Sequence, residues 1–131
     1  MTPYWYRWNK ETDTITGCDK FEPDIFATEN RRVAETFIET ALGKIRVSTV
    51  FLCLDHGYSS SNPDMKPILF ETMVFGGHYD QYQDRYHTSA EARFGHEQIC
   101  KMVRRMGFLN VAWFAKQQLA TKIRKKQKTA S

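Results

Sequence analysis

Glu71 lies inside the segment Ile68 to Phe75, Ile-Leu-Phe-Glu-Thr-Met-Val-Phe, which is otherwise apolar except for Thr72. A carboxylate in such a run needs a partner, a raised pKa or a watery pocket. Its structural reading is a Glu paired to an arginine or facing a solvated edge. Its chemical reading is an acid or base. General acid–base work would draw on Glu71, His56 and His96, with His78 nearby, gathered at one end of a sheet under a helix. Such a set with Arg85 suits metal-free cleavage of a nucleotide or phosphodiester. The geometry is demanding, because Glu71 is mid-strand and His56 and His78 lie beyond strand ends.

A second constellation is an anion site. Arg85 lies just before a helix that opens at Thr88, Gly76 and Gly77 follow the Glu71 segment, and Asp55 and His56 end another apolar run. Helix N-termini attract phosphate, glycines admit close backbone approach, and Arg is a two-pronged donor. Arg85, Asp55, His56, Glu71, Gly76, Gly77, His78 and Thr88 are therefore the ligand-binding candidates. The plain alternative is a capped helix, with Arg85 paired to Asp80, Asp84 or Glu71. No Walker or Rossmann spacing is present. A third set, His78-x-Asp80 with His56, His87 or His96, has the donors for a metal but neither a paired-His helix motif nor a Cys cluster. No metal or cofactor is expected.

The elements that must place these residues follow from pattern. Ile45 to Leu54 and Ile68 to Phe75 read as adjacent strands, the second apolar on both faces and central, the first becoming apolar on both faces toward its end. Tyr4 to Trp8, Ile15 to Thr16 and Arg31 to Ile38 read as further strands, and Pro23-Asp24 as the first turn of a short helix. Ala41-Leu42-Gly43-Lys44 reads as a hairpin turn, with Gly43 supplying positive φ. Thr88 and Glu91 have capping-box spacing, and Ala92, His96, Ile99, Val103 and Met106 recur at helical spacing, ending at Gly107. Phe108 to Ile123 reads as a second, basic helix. The expected fold is α+β: an antiparallel sheet of four or five strands, packed on one face by the Thr88–Met106 helix. Residues 1–121 would form one domain and residues 122–131 a basic tail.

The chain has 131 residues and net charge +4. From Lys101 onward there are nine Lys/Arg and no acid, so the first hundred residues carry ten basic and fifteen acidic side chains. Such an end attracts nucleic acid, anionic membrane or an acidic partner, or simply aids solubility. Residues 116–128 are the nucleic-acid candidate. Cys18, Cys53 and Cys100 form no Cys-x-x-Cys pair, which argues for a reducing compartment. No apolar run reaches the length of a membrane span, and the N-terminus lacks the order of a secretory signal. An edge strand or the aromatic N-terminus is a candidate homodimer contact.

Several segments together resemble a family of small bacteriophage and prophage proteins without an established activity. These are Val47-Ser48-Thr49-Val50-Phe51-Leu52, Asp55-His56-Gly57, Leu69 through Gly77, and Asp84-Arg85-Tyr86-x-Thr88-x-x-Glu91-Ala92-x-x-Gly95-His96. The resemblance spans roughly residues 31 to 106. It implies expression in the cytoplasm of a bacterial host and an accessory, host-takeover or counter-defence role. The expected function is binding of a nucleotide-like or phosphorylated ligand. The alternatives are a metal-free hydrolase of the same ligand class, and a protein- or nucleic-acid-interaction module using the basic end.

Overall fold

Two apolar strands that read as neighbours in the sequence do lie side by side. In the computed structural model, residues 5–18, 20, 22–41, 43–55, 66–106, 116 and 119 are described. The elements are β1 Trp5–Asn9, β2 Thr14–Cys18, a 3-10 turn Pro23–Phe26, α1 Thr28–Arg31, β3 Arg32–Thr40, β4 Gly43–Phe51, β5 Phe70–Phe75 and β6 Gln83–Tyr86. A long helix, α2, follows at 89–106. Strands β3-β4-β5-β6 form an antiparallel four-stranded sheet in chain order, and β1-β2 a separate hairpin. The fold is α+β, with α2 packed on one face of the sheet.

Parity sorts the strand residues onto the two faces. On β4, Ile45, Val47, Thr49 and Phe51 are buried while Arg46, Ser48 and Val50 are half-buried. On β5, Phe70, Thr72 and Val74 are buried and Glu71, Met73 and Phe75 half-buried. The register sets Val47 opposite Val74 and Thr49 opposite Thr72, so the buried sets of both strands share the α2 face. Leu69 departs from this pattern. It has the parity of Glu71 but precedes the strand proper, and is buried in the aromatic cluster that β1 helps build.

That cluster joins Tyr6, Trp8, Phe51, Leu69, Phe70, Tyr86 and Ala92. Trp8 meets Phe70 edge-on at 5.4 Å, and Phe51 lies 5.4 Å from Phe70. A second cluster contains Ile38, Ile45, Val47, Val74, Ile99, Cys100 and Val103. The hairpin β1-β2 is fastened in two places. The Tyr6 amide donates to the Cys53 carbonyl at 2.8 Å. Asp13, in the hairpin turn, accepts from Trp8 Nε1 at 2.8 Å and from Ser89 Oγ at 2.6 Å, tying the turn to the start of α2.

Local signals explain the remaining elements. Gly43 sits at φ +112° in the β3-β4 turn, a conformation L side chains avoid. A register shift between Arg32 and Ala34 accounts for the irregular alternation at the start of β3, which also runs two residues past Ile38. The Thr88 hydroxyl accepts the Glu91 amide at 3.1 Å and donates to its carboxylate at 3.0 Å. Strand β6 is not among the strands that the sequence pattern marks. It is an edge strand whose exposed Gln83, Asp84 and Arg85 carry no alternation signal. The Gly107 cap, the helix over 108–123 and the tail lie outside the described residues, apart from Lys116 and Leu119, which are helical.

Helix α2 approaches β6 closely at Gly95. A Cβ built there would fall 2.2–2.4 Å from the Tyr86 ring and hydroxyl. Gly costs a helix interior about 1 kcal/mol relative to Ala, yet overpacking costs about 1–3 kcal/mol. Gly95→Ala is therefore expected to lower stability despite its better helix propensity. Denaturant unfolding measures this, and a stabilised variant would contradict the close packing.

Candidate functional site

The sequence candidates divide between the two faces and two ends of the sheet. His96 projects from α2 onto the covered face and is 5% exposed. Its Nδ1 lies 2.7 Å from Thr49 Oγ1 and its Nε2 2.8 Å from Thr36 Oγ1. Thr49 Oγ1 in turn lies 2.5 Å from Thr72 Oγ1. A neutral imidazole has one N–H and one acceptor nitrogen, and each hydroxyl one proton, so a one-way chain of donors satisfies every contact. The Tyr86 hydroxyl, by contrast, is buried with no hydrogen-bond partner among the described residues, and Thr72 only partly offsets the effect of that burial. Burial pushes the Tyr86 hydroxyl pKa up.

Both ring nitrogens of His96 are thus occupied, by the buried Thr49 and the half-buried Thr36 hydroxyls. Burial lowers its pKa from the ordinary 6.5, with Arg104 adding to the effect and Glu97 opposing it. The side chain lies where a ligand would have to open the core to reach it. This is the environment of a structural histidine.

Glu71 and Arg85 lie together on the opposite, open face. They are directly registered across β5 and β6, and Arg85 Nε donates to Glu71 Oε2 at 3.0 Å. The side chains are 15% and 39% exposed, so water screens the pair in part. The paired-Glu reading of the sequence is the arrangement found. The sheet separates this carboxylate from the His96 imidazole, so the two do not form an acid–base pair.

The other candidates have local tasks. Gly76 and Gly77 turn the chain at the far end of β5, about 16 Å from Glu71 at roughly 3.3 Å per residue. Gly76 donates its amide to Asp80 Oδ1 at 2.7 Å, and a Cβ on Gly77 would sit 2.5 Å from Ile45 Cδ1. His78 is exposed in that turn and meets the Tyr79 ring edge-on. Asp55 Oδ1 accepts the Ile68 amide at 2.9 Å at the opposite end. Thr88 caps α2 there, and His87 Nδ1 donates to the Pro67 carbonyl at 3.1 Å. His56 lies outside the described residues. Among the described residues no three His, Cys, Asp or Glu side chains gather as a metal site would require. Cys53 is also ill placed as a nucleophile. It is 1% exposed, burial raises its thiol pKa, and its thiol donates to the Ile25 carbonyl at 3.3 Å.

The open face holds what the sequence reading missed. A groove of about 270 Å³ runs across it, bordered by Arg31, Arg32, Glu35, Arg46, Ser48 and Glu71 among others. Arg32 Nε donates to Glu35 Oε2 at 3.0 Å. Arg46 is opposite Phe75, and its guanidinium carbon lies 4.4 Å from the centre of that ring. Parity alone puts Arg46 and Ser48 with Val50 on one face of β4. Only the β4-β5 register shows that the aromatic ring beneath Arg46 is Phe75.

Comparison with known proteins finds no matching family model, curated protein or solved structure. No helix among the described residues is long and apolar enough to cross a membrane.

Two stability measurements follow from these placements. Well above pH 6.5 the His96 imidazole is neutral in folded and unfolded chains alike, so it adds no pH dependence there. Below that value the unfolded chain takes up a proton that the folded chain resists. Stability should therefore fall as pH drops from 6.5 toward the lowered folded pKa. Unfolding midpoints recorded across this range for the native chain and His96→Gln should show the slope only in the former. Separately, a double-mutant cycle of Glu71→Ala and Arg85→Ala should return a coupling of about 1 kcal/mol or less. A much larger coupling would mean the pair is shielded from solvent.

Proposed function

We propose that the protein is a non-catalytic binding module that takes a small phosphorylated or nucleotide-like ligand on the open face of its sheet. One observation carries this reading: the Arg46 guanidinium is stacked over Phe75 and has no carboxylate partner among the described residues. A guanidinium held against a ring keeps its edge N–H groups for a planar or tetrahedral oxyanion. Ser48, two residues on along the same face, offers a hydroxyl beside it.

The neighbours restrict the ligand. Arg32 and Arg85 are each paired with a carboxylate, Glu35 and Glu71 respectively. These acids hold the flanking cations in place and keep the face close to neutral. A ligand with one or two phosphates fits that balance, whereas a long polyanion would meet two carboxylates. Binding without turnover is favoured by the separation of the acid–base candidates: His96 is enclosed in the core, and Glu71 is engaged by Arg85. The bacteriophage setting and any counter-defence role rest on the sequence resemblance alone.

Calorimetry with a panel of mononucleotides, dinucleotides and inorganic phosphate tests the reading. Binding to at least one phosphorylated probe is expected, and Arg46→Ala should weaken it about tenfold or more, the effect of losing a charge-assisted hydrogen bond. The bound probe should be recovered intact by chromatography. No binding by any probe, or binding indifferent to Arg46→Ala, would discard the site.

A further inference from the structure

The open-face groove shares a bordering residue with a second space. Arg31, which borders it, also borders the larger cleft on the other side of the sheet rim, a space of about 540 Å³ between the β1-β2 hairpin, α1 and the end of β4. The Arg31 side chain is anchored there, with Nε donating to the Phe51 carbonyl at 3.1 Å. Both spaces are therefore bordered by the same anchored side chain.

Resting on the anion site at Arg46, we infer that the ligand is bipartite and of dinucleotide class, passing over Arg31 so that one heterocyclic base enters the larger cleft. The cleft has the size of a small-molecule site. It is rigid on one side, where Arg7 is clasped by Asp24 at 2.9 and 3.1 Å and by Glu22. Two amides on its walls have complementary capacity to spare. Asn9 Oδ1 accepts the Glu11 and Thr12 amides at 3.0 and 3.3 Å, leaving its NH2 to donate. Asn30 Nδ2 donates to the Asp24 carbonyl at 2.9 Å, leaving its oxygen to accept. One donor and one acceptor amide suit the mixed edge of a nucleobase. Lys10 stands beside them. Its Nζ donates to the Glu29 carbonyl and lies 5.8 Å from the centre of the Trp8 ring, and no carboxylate neutralises it among the described residues.

Length selects two linked nucleotides over one. Arg46 and Val50 are four residues apart on β4, about 13 Å at roughly 3.3 Å per residue. Arg32 is registered opposite Val50, and Arg31 comes just before it. An anionic group at Arg46 and a base beyond Arg31 are thus farther apart than the ends of a single nucleotide. Charge limits the length in the other direction. Glu11 and Asp24 border the cleft as Glu35 and Glu71 border the groove, so a long phosphate chain is not accommodated.

Calorimetry with the linear dinucleotide pApA and with AMP tests the inference on the full-length chain. The dinucleotide should bind at least tenfold more tightly than AMP. Lys10→Ala and Asn30→Ala should each remove most of that advantage, while Arg46→Ala weakens both probes. Lys10 is in an exposed turn, so its variant separates a lost contact from a lost fold, and circular dichroism checks both variants. Equal affinity for the two probes, or a dinucleotide advantage untouched by Lys10→Ala and Asn30→Ala, overturns the inference while the Arg46 site stands. Loss of both probes' binding from the native chain would overturn the site and the inference together.

Discussion

An imidazole enclosed between a helix and a sheet obliges both to supply a partner for each of its nitrogens. Here the partners are hydroxyls from two different strands, Thr36 on β3 and Thr49 on β4, with Thr72 on β5 extending the line. Each hydrogen bond contributes only about 1 kcal/mol net, but leaving one of these groups unmet would cost about 1–3 kcal/mol. The line therefore specifies more than it stabilises. A slip of one residue in β4 or β5 would turn a threonine to the open face and leave His96 stranded. The same band of polar atoms lies between the aromatic cluster around Trp8 and the aliphatic cluster around Val47. Register, helix position and the division of the core all depend on it.

Fixing that register also decides what the other face presents. Once Thr72 points toward α2, Glu71 and Met73 must point away, and Arg85 on β6 arrives opposite Glu71. The carboxylate in the apolar run is thereby explained without chemistry of its own: one face of its strand is core, the other half-solvated. Arg46 comes to rest on Phe75 by the same geometry. A rigid sheet that aims a stacked guanidinium is better suited to holding an anion than to moving protons, because a sheet one residue thick keeps the two kinds of titratable group apart.

Much of this was legible in the residues. The two central strands, the hairpin at Gly43 and the capping box at Thr88 and Glu91 each carry local signals of period, turn chemistry and side-chain reach. His96 could be placed under the helix from its spacing with Ala92 and Ile99. What could not be read was which residue lies opposite which. Strand β6 is short, polar and at an edge, so nothing in Gln83, Asp84 and Arg85 marked it as paired. Without β6 there is no Glu71–Arg85 contact, and without the β4-β5 register there is no Arg46–Phe75 stack. Gathering Glu71 and His96 at one place treats the sheet as if its faces could be pooled. Parity keeps them apart.

The contact between Gly95 and Tyr86 reaches beyond this one chain. A ring packed this close to helical backbone couples two positions: a side chain at 95 favours a smaller residue at 86, and an aromatic at 86 favours a bare backbone at 95. Mutational drift at either place is then blocked unless both change together. Among divergent sequences sharing this architecture, that linked pair would be a more durable signature than any of the surface charges.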